Sequence, residues 1–139
     1  MKEIELKIPK KYCVYFLKDK NNDIVYVGIS KENSLMMRIS AHVYNKKFKK
    51  VTFIECENQK ESEMMECEMI IKYNPIYNNC ITNPRSIGYI GKSELIKKAK
   101  ELYGYKPSET LRKVRDRNIE TIEFNLYIYY KNDAIEKIK

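Results

Sequence analysis

β-Branched and aromatic residues fill two short stretches near the start of the chain, residues 11–18 and 23–29, and polar residues lie between them. Such residues favour strands, and the intervening Asp and Asn residues favour a tight turn. The pattern therefore predicts an antiparallel hairpin with its turn centred at Lys20-Asn21 or at Asn21-Asn22. Either turn gives a pairing register in which Tyr15 and Tyr26 project from the same face.

A helix running to about residue 44 is the next predicted element, and either Asn33 or Ser34 can accept hydrogen bonds from its first free amides. Arg38 and His42 are four residues apart, so both side chains should leave the helix on the same face. Apolar residues recur every four positions as the predicted buried stripe: Leu35, Ile39 and Val43.

A third strand over residues 51–56 and a strongly helical, acidic segment over residues 61–73 follow. The helical segment contains four glutamates. Glu66 projects along its apolar stripe, whereas Glu68 lies about 160° or more from the centre of that stripe. Because burying an unpaired carboxylate is expensive, Glu66 needs a partner, and a metal ion and Arg38 are the two candidates. Pro75 ends the helix.

The last part of the chain is predicted to be an extension of two short helices and a strand. Residues 81–91 contain proline and glycines and indicate a linker. Ser93 can cap the first helix, Gly104 ends it, and Ser108 can cap a second helix that runs to about residue 117. These helices either pack on the preceding sheet or form a helix-turn-helix.

Residues 121–130 alternate apolar and polar positions, which predicts a last strand or a strand pair. It could extend the edge of the sheet, pair with a short N-terminal strand at residues 4–8, or contact a second copy of the chain.

The net charge of the chain indicates which kinds of partner it would bind. The 139 residues carry a net charge of +8, and the sequence pI is about 9.2, which favours a polyanion such as nucleic acid or an anionic membrane surface. One basic run with a single aromatic suits phosphate contact and base stacking, although it could equally be a solvated loop. It comprises Lys46, Lys47, Phe48, Lys49 and Lys50. In the helix-turn-helix interpretation a second basic set would meet DNA, namely Arg112, Lys113, Arg115 and Arg117.

The sequence does not indicate a membrane-spanning protein, a secreted protein or a zinc protein. There is no apolar run long enough to predict a membrane span and no signal-peptide core, so a cytoplasmic protein is expected. Four unpaired cysteines and a single histidine do not form a zinc motif, and reduced, mostly buried thiols are the better interpretation.

The ordered polar positions resemble those of the GIY-YIG nuclease family. Cys13-Val14-Tyr15 and Tyr26-Val27-Gly28 stand where the two name-giving tripeptides would be, with a cysteine replacing the first glycine. The pattern continues with an Arg and a His four residues apart, a Glu-x3-Ile helix and a Pro-x2-Asn segment that ends at Asn78. A literal Tyr89-Ile90-Gly91 comes after the glutamate without a following Arg and His, so we treat it as a coincidence.

The resemblance implies an α+β fold, a three-stranded antiparallel sheet flanked by helices, over residues 1–80. Residues 81–91 would be the linker and residues 92–139 an extension that packs on the core or contacts DNA. It also implies a metal-dependent DNA endonuclease that hydrolyses a phosphodiester bond. The implied catalytic residues are Tyr15, Tyr26, Arg38, His42, Glu66 and Asn78.

In that mechanism Glu66 would hold Mg²⁺ or Mn²⁺, and Arg38 would stabilise charge on the phosphate. Tyr15 and His42 are competing candidates for the general base, and Asn78 would orient a water or a backbone group. The implied partner is double-stranded DNA, with no membrane and no small-molecule cofactor. A single site cuts one strand, so a double-strand break would need a homodimer or sequential nicking. The alternative is a catalytically inactive module that keeps the fold and binds DNA or protein.

Overall fold

The computed structural model of the protein describes residues 11–31 and 33–139, together with Glu3. The predicted strand at residues 4–8 lies outside these residues. The chain forms two compact units, Met1–Asn79 and Cys80–Lys139. No helix in the described part of the chain is long and apolar enough to cross a membrane.

The described residues of the first unit form three strands and two helices. They are, in order, β1 (Cys13–Lys18), β2 (Ile24–Ser30), α1 (Leu35–His42), β3 (Lys50–Glu55) and α2 (Gln59–Tyr73). The sheet is antiparallel with the order β2-β1-β3, so the central strand β1 is covered on both edges and is almost entirely buried. This arrangement confirms the predicted fold class.

The hairpin register explains how the two tyrosines meet. Tyr15 lies opposite Gly28 and Leu17 lies opposite Tyr26. A register shift between Leu17 and Lys18 then places Lys18 opposite Ile24, so the loop is centred on Asn21, between the two predicted turns. Asn22 adopts a positive φ of 67° there, and the Asp19 carboxylate accepts hydrogen bonds from two backbone amides within the turn. Because side chains alternate along each strand, Tyr15 and Tyr26 share a face as predicted.

Helix α1 differs from its prediction in three respects. The Ser34 hydroxyl donates to the carbonyl of Lys31, so it does not cap the helix amides. The helix ends at His42, because the amides of residues 45 and 46 both bond to the His42 carbonyl and turn the chain away. As a result Val43 lies beyond the helix and is exposed, and of the predicted stripe only Leu35 is buried and Ile39 half-buried.

Helix α2 begins two residues earlier than predicted, because the Asn58 side chain caps it by accepting from the amide of Glu61. Asn74 ends the helix in the left-handed conformation, with φ 43°, and Pro75 follows. The helix buries Glu66 and Ile70, while Glu68 is exposed as predicted.

The second unit contains its own sheet and helices. A 3₁₀ helix (Pro84–Ile87) precedes β4 (Tyr89–Gly91), α3 (Lys92–Tyr103), α4 (Pro107–Asp116), β5 (Thr121–Phe124), β6 (Tyr127–Lys131) and α5 (Ala134–Lys137). The strands are antiparallel in the order β4-β6-β5. The extension thus has a strand pair, β5 and β6, plus a third strand from a segment not predicted to be regular.

Residues 81–91, predicted as a linker, therefore contain a helical turn and a strand. The reason is pairing: Ile90 lies opposite Tyr130 on β6, and both side chains are buried in the core of this unit. Glycine and proline content could not reveal a three-residue strand whose stability comes from a partner forty residues away.

The caps of α3 and α4 also differ from the predictions. Gly91 and Lys106 occupy the N-cap positions, and neither supplies a side-chain cap. Ser93 and Ser108 are instead the second residue of each helix. Pro107 starts α4, a position where its missing N–H costs nothing. Gly104 ends α3 in the left-handed conformation, as predicted.

Candidate active site

Three polar rings converge beside β1. Tyr15 on β1, Tyr26 on β2 and His42 at the end of α1 have ring centroids 4.5 to 6.1 Å apart. The Tyr15 hydroxyl lies 2.7 Å from Nε2 of His42, which is a short hydrogen bond. The hairpin register and the place where α1 ends together bring these groups into contact.

Gly28 makes room for this cluster. A Cβ atom at this position would lie 2.6 Å from the Cζ and hydroxyl of Tyr15 and 2.8 Å from the Tyr26 ring. Any side chain there would displace both tyrosines. The last residue of the second tripeptide is therefore required for space, since its φ is not positive.

Burial sets the protonation state of the hydrogen-bonded pair. It is the main cause that raises the pKa of Tyr15 well above its ordinary value; Tyr26 adds to the rise and Arg38 opposes it. For His42, burial first and then the charges of Lys46 and Arg38 hold the pKa below 6.5. At neutral pH the phenol is therefore protonated and the imidazole neutral, so the Tyr15 hydroxyl can donate to Nε2.

Arg38 lies one helical turn before His42 on α1, and its side chain is exposed. Its charge lowers the pKa values of Tyr15, Tyr26 and His42, which places it within electrostatic reach of all three rings. Among the described residues it forms no salt bridge. A guanidinium in this position can meet an incoming phosphate.

Glu66 reaches the same cluster from α2. Its side chain is only 4% exposed, and its charge raises the pKa values of Tyr26 and Tyr15. Within the described residues no three His, Cys, Asp or Glu side chains gather to hold a metal ion. One buried carboxylate does not fit zinc, which takes three or four protein ligands, but it fits a hard cation such as Mg²⁺ that keeps most of its waters.

Asn78 is buried and acts on the backbone of β2. Its Oδ1 accepts from the Val27 amide at 2.9 Å, and its Nδ2 donates to the Val27 carbonyl at 3.0 Å. Val27 lies between Tyr26 and Gly28, on an edge of the sheet that no strand of the described residues covers. Asn78 therefore forms the two backbone hydrogen bonds that a neighbouring strand would form, and it holds β2 in place at Val27.

The basic run after α1 divides into cations with different neighbours. The Lys46 ammonium stands 4.9 Å above the centre of the Tyr26 ring. Lys50 donates to the side chain of Asn22, away from the rings. Lys47 and Lys49 line a pocket of about 400 Å³ whose floor includes Phe48 and Tyr77. Phe48, which the sequence offers as a stacking ring, is partly buried against the core of this unit.

The four predicted cations of the second unit also differ in their surroundings. Arg112 and Arg115 are exposed. Lys113 lies 4.8 Å above the centre of the Tyr105 ring, and Arg117 donates to the carbonyl of Lys137. Arg117 is also exposed, so Lys113 alone of the four is half-buried.

Two residues of the candidate site, Gly28 and Tyr77, were not among the predicted site residues. Gly28 provides space, and the Tyr77 hydroxyl accepts from the Lys47 amide at 3.0 Å. Lys46 was predicted as a phosphate contact, but its position over the Tyr26 ring was not predicted. The position of Tyr77 next to Asn78 was the available signal. The cysteine that replaces the first glycine fits without a break, because Cys13 pairs with Ser30 and its Sγ lies 2.9 Å from the Ser30 hydroxyl.

The sheet, the paired tyrosines and the buried glutamate define a class of catalytic domain. Residues 11–78 match the family model described as the GIY-YIG catalytic domain. Residues 11–78 therefore form a GIY-YIG catalytic domain, as the sequence predicts, and this match supports the predicted class of enzyme.

Curated relatives that match are UvrABC system protein C sequences. The one from Fervidobacterium nodosum is 33% identical over 93 residues, and the one from Mycoplasma mycoides is 31% identical over 93 residues. In both cases the match covers 60% of this chain but only 16% of the relative.

Among solved structures, the GIY-YIG N-terminal endonuclease domain of UvrC from Thermotoga maritima, bound to its catalytic divalent cation magnesium, matches with 25% identity and a TM-score of 0.43. That match covers 50% of this chain and 85% of the solved domain.

Proposed function

We propose that this protein is a metal-dependent DNA endonuclease that hydrolyses a phosphodiester bond. The observation that carries the proposal is the convergence of the hydrogen-bonded Tyr15 and His42 with buried Glu66 inside the matched catalytic domain. Burying a carboxylate costs free energy, and a purely structural domain gains nothing from placing one beside two phenols. Burial is the main cause that raises the pKa values of Tyr26 and Tyr15, and the charge of Glu66 adds to both rises.

The Tyr15–His42 pair provides a path for the proton of the attacking water. The Tyr15 hydroxyl takes that proton while its own proton passes to Nε2 of neutral His42. The water oxygen bonds to phosphorus, and the bond from phosphorus to the leaving oxygen breaks. Because the pKa of Tyr15 is raised, a free phenolate is not available at neutral pH, and the imidazole supplies the basicity that the phenol lacks.

Arg38 stabilises the negative charge that develops on the phosphate, for which its exposed, unpaired guanidinium is suited. Asn78 acts as a positioning residue because it fixes the strand that carries Tyr26 and Gly28.

Glu66 would hold the metal ion, Mg²⁺ or Mn²⁺. When bound, such an ion supplies Lewis acidity toward the phosphate oxygens. The carboxylate's own contribution is a fixed negative charge beside the phenols in a buried environment.

Double-stranded DNA in the cytoplasm is the substrate that we propose. The net charge of +8, the Lys46 ammonium over the Tyr26 ring and the exposed Lys47 and Lys49 support a polyanionic substrate. Since one chain carries one such site, each encounter cuts one strand, and a break of both strands requires a second copy or a second encounter.

The proposal is tested with supercoiled plasmid and purified protein in Mg²⁺, in EDTA, and with Glu66→Ala in Mg²⁺. We expect nicking that depends on Mg²⁺ and that the variant loses by at least about a hundredfold, while DNA binding stays within about twofold. Cleavage retained by Glu66→Ala would remove the metal-ligand assignment. Binding without cleavage by the wild type on several unrelated DNAs would instead favour the non-catalytic module.

A further inference from the structure

The second unit contains two consecutive helices joined by a short turn. Helix α3 ends at Tyr103 and α4 begins at Pro107, so only Gly104, Tyr105 and Lys106 separate them. Gly104 has a φ of 70°, and its amide bonds back to the end of α3. A three- or four-residue turn that contains glycine is the connection found in a helix-turn-helix, and a loop of this length also joins the helices of an αα-hairpin.

Helix α4 has one face in the core and one face in solvent. Thr110 is fully buried and Val114 is nearly so. At about 100° per residue, the side opposite these two carries Ser108, Arg112, Arg115 and Asp116. All four are exposed, and among the described residues neither arginine forms a salt bridge.

The core of the unit holds this outer face in a fixed direction. Val114 and the following Ile119 belong to one apolar cluster with Leu95 and Ala99 of α3 and Tyr130 of β6. The Thr110 hydroxyl donates to the carbonyl of Lys106, which fastens α4 to the turn. A helix anchored in this way can present its exposed side chains with little loss of entropy on binding.

The net charge of the second unit indicates what kind of partner it binds. Residues 80–139 contain 13 Lys and Arg and 8 Asp and Glu, a net charge of +5. The outer face of α4 combines the two guanidiniums with a hydroxyl and the carboxylate of Asp116, so its cations outnumber its anions two to one. Arginine is the residue that most often reads guanine, because its planar fork matches the two acceptors that guanine presents in the major groove.

We propose that residues 80–139 form a unit that reads the sequence of duplex DNA, with α4 in the major groove. Arg112 and Arg115 contact base edges, and Ser108 contacts a base or the adjacent phosphate. The proposal rests on the proposed function only for the identity of the substrate, DNA. It assigns to the second unit the choice of cleavage site, and to the first unit the hydrolysis.

Not all the basic residues of this helix take part. Lys113 is directed to the ring of Tyr105, and Arg117 donates to the carbonyl of Lys137. These two residues therefore stabilise the unit, and the reading is done by the outward pair.

The test uses the full chain carrying Glu66→Gln, in EDTA, so that binding is measured without cleavage. A library of duplexes with a randomised segment is selected by the protein, and the affinities for the enriched duplex and for a scrambled duplex are measured by fluorescence anisotropy. We expect an enriched sequence that contains guanine, bound at least about a hundredfold more tightly than the scrambled duplex.

Two double variants separate base reading from charge. Arg112→Lys with Arg115→Lys keeps both charges but removes the planar forks, so discrimination should fall by about tenfold per arginine. Lys97→Ala with Lys100→Ala removes two exposed cations with the same spacing from α3. This matched control should weaken binding to both duplexes equally. All four positions are exposed, so thermal unfolding should be unchanged.

The proposal is overturned if no duplex sequence is enriched, if single-stranded DNA competes better than duplex, or if the Arg-to-Lys variant keeps the full preference. Its failure is distinguishable from that of the nuclease proposal. Sequence-selective binding with no plasmid cleavage would contradict the endonuclease alone, and Mg²⁺-dependent cleavage with no selected sequence would contradict the reading unit alone.

Discussion

The side chain of His42 is held between a phenol, a second aromatic ring and two cations. The phenol donates to its Nε2, while Lys46 and Arg38 oppose any positive charge on the ring. Burial first, and then the charges of Lys46 and Arg38, hold the pKa of His42 below its ordinary value and favour the neutral imidazole. In the proposed proton path, neutral His42 accepts a proton at neutral pH, and the Tyr15 hydroxyl is the group that passes it on.

The pKa of His42 should lie below 6.5 in the folded protein. The chain has a single histidine, so one NMR titration of its ring protons in EDTA measures it without assignment. Because a proton acceptor must be unprotonated, plasmid cleavage should fall as the pH drops through that pKa and be level above it. A cleavage rate that does not change between about pH 5 and 7 would contradict the proposed proton path.

The same shift has a consequence for stability. The unfolded chain binds the His42 proton at a higher pH than the folded chain does, so it holds more protons between the two pKa values. Protonation of His42 therefore makes the free energy of unfolding decrease as the pH falls below about 6.5. The decrease should be smaller in His42→Gln, as measured by urea denaturation at pH 7.5 and pH 5.

Replacing Gly28 with alanine should damage the site more than the fold. The added Cβ would meet Tyr15 and Tyr26 at well under van der Waals distance, so the rings must move. We expect a loss of about 1 to 3 kcal/mol in the free energy of unfolding and a loss of about a hundredfold in cleavage.

Gly91→Ala is the matched control, since no atom lies within 4 Å of a Cβ built there. It should change stability by less than about 0.5 kcal/mol. Equal effects of the two substitutions would show that Gly28 is not needed for space.

Strand β2 is the element that the site depends on most, and it lies at an edge of its sheet. Edge strands normally leave one row of backbone groups unpaired. Here the Asn78 side chain pairs the Val27 amide and carbonyl, and the Tyr77 amide bonds to the carbonyl of Val25. The segment after α2 therefore protects this edge and fixes the position of the second tyrosine.

Asn78→Ala should destabilise the first unit by about 2 to 4 kcal/mol, because it leaves two backbone groups of Val27 without partners. Asn78→Asp keeps the acceptor but loses the donor, so its stability should be intermediate. Both are measured by urea denaturation together with cleavage at a temperature where each variant is folded. A loss below about 1 kcal/mol for Asn78→Ala would contradict the role of Asn78 as an edge cap.

The molecule as a whole has two apolar cores, one within each unit. Leu17 and Leu35 belong to the first, and Leu95 and Ile138 to the second. Both units carry an excess of basic residues, and neither excess is neutralised by the salt bridges of the described residues, which mostly join exposed side chains. A chain of this kind should bind DNA with a strong dependence on salt.

The basic run after α1, residues 46–50, should account for part of the salt dependence of DNA binding. Removing three phosphate contacts should reduce the slope of log affinity against log salt concentration by about 2.7. The triple variant Lys47→Ala, Lys49→Ala, Lys50→Ala tests this by anisotropy between 50 and 200 mM salt, a range that suits this measurement. Lys60→Ala, an exposed cation on α2, is the control and should change the slope by less than about 1. An unchanged slope in the triple variant would mean that DNA lies elsewhere.

Local pattern was sufficient for much of the fold. The hairpin, α2 and the end of α3 at Gly104 followed from alternation, from helical periodicity and from a glycine in the left-handed conformation. Caps were predicted poorly, because Ser34, Ser93 and Ser108 resemble caps in sequence, whereas the choice depends on where the preceding chain comes from.

The sequence by itself determined that Tyr15 and Tyr26 share a face, because side chains alternate along a strand whichever turn is used. It also determined that Glu66 faces the interior, because helical geometry separates it from Glu68. Only the tertiary structure decided that Tyr15 is bonded to His42, that Asn78 caps an edge strand, and that Tyr89–Gly91 joins a second sheet. Those contacts join residues 27 to 51 positions apart, or strands whose partners lie far along the chain, and no local periodicity carries such information.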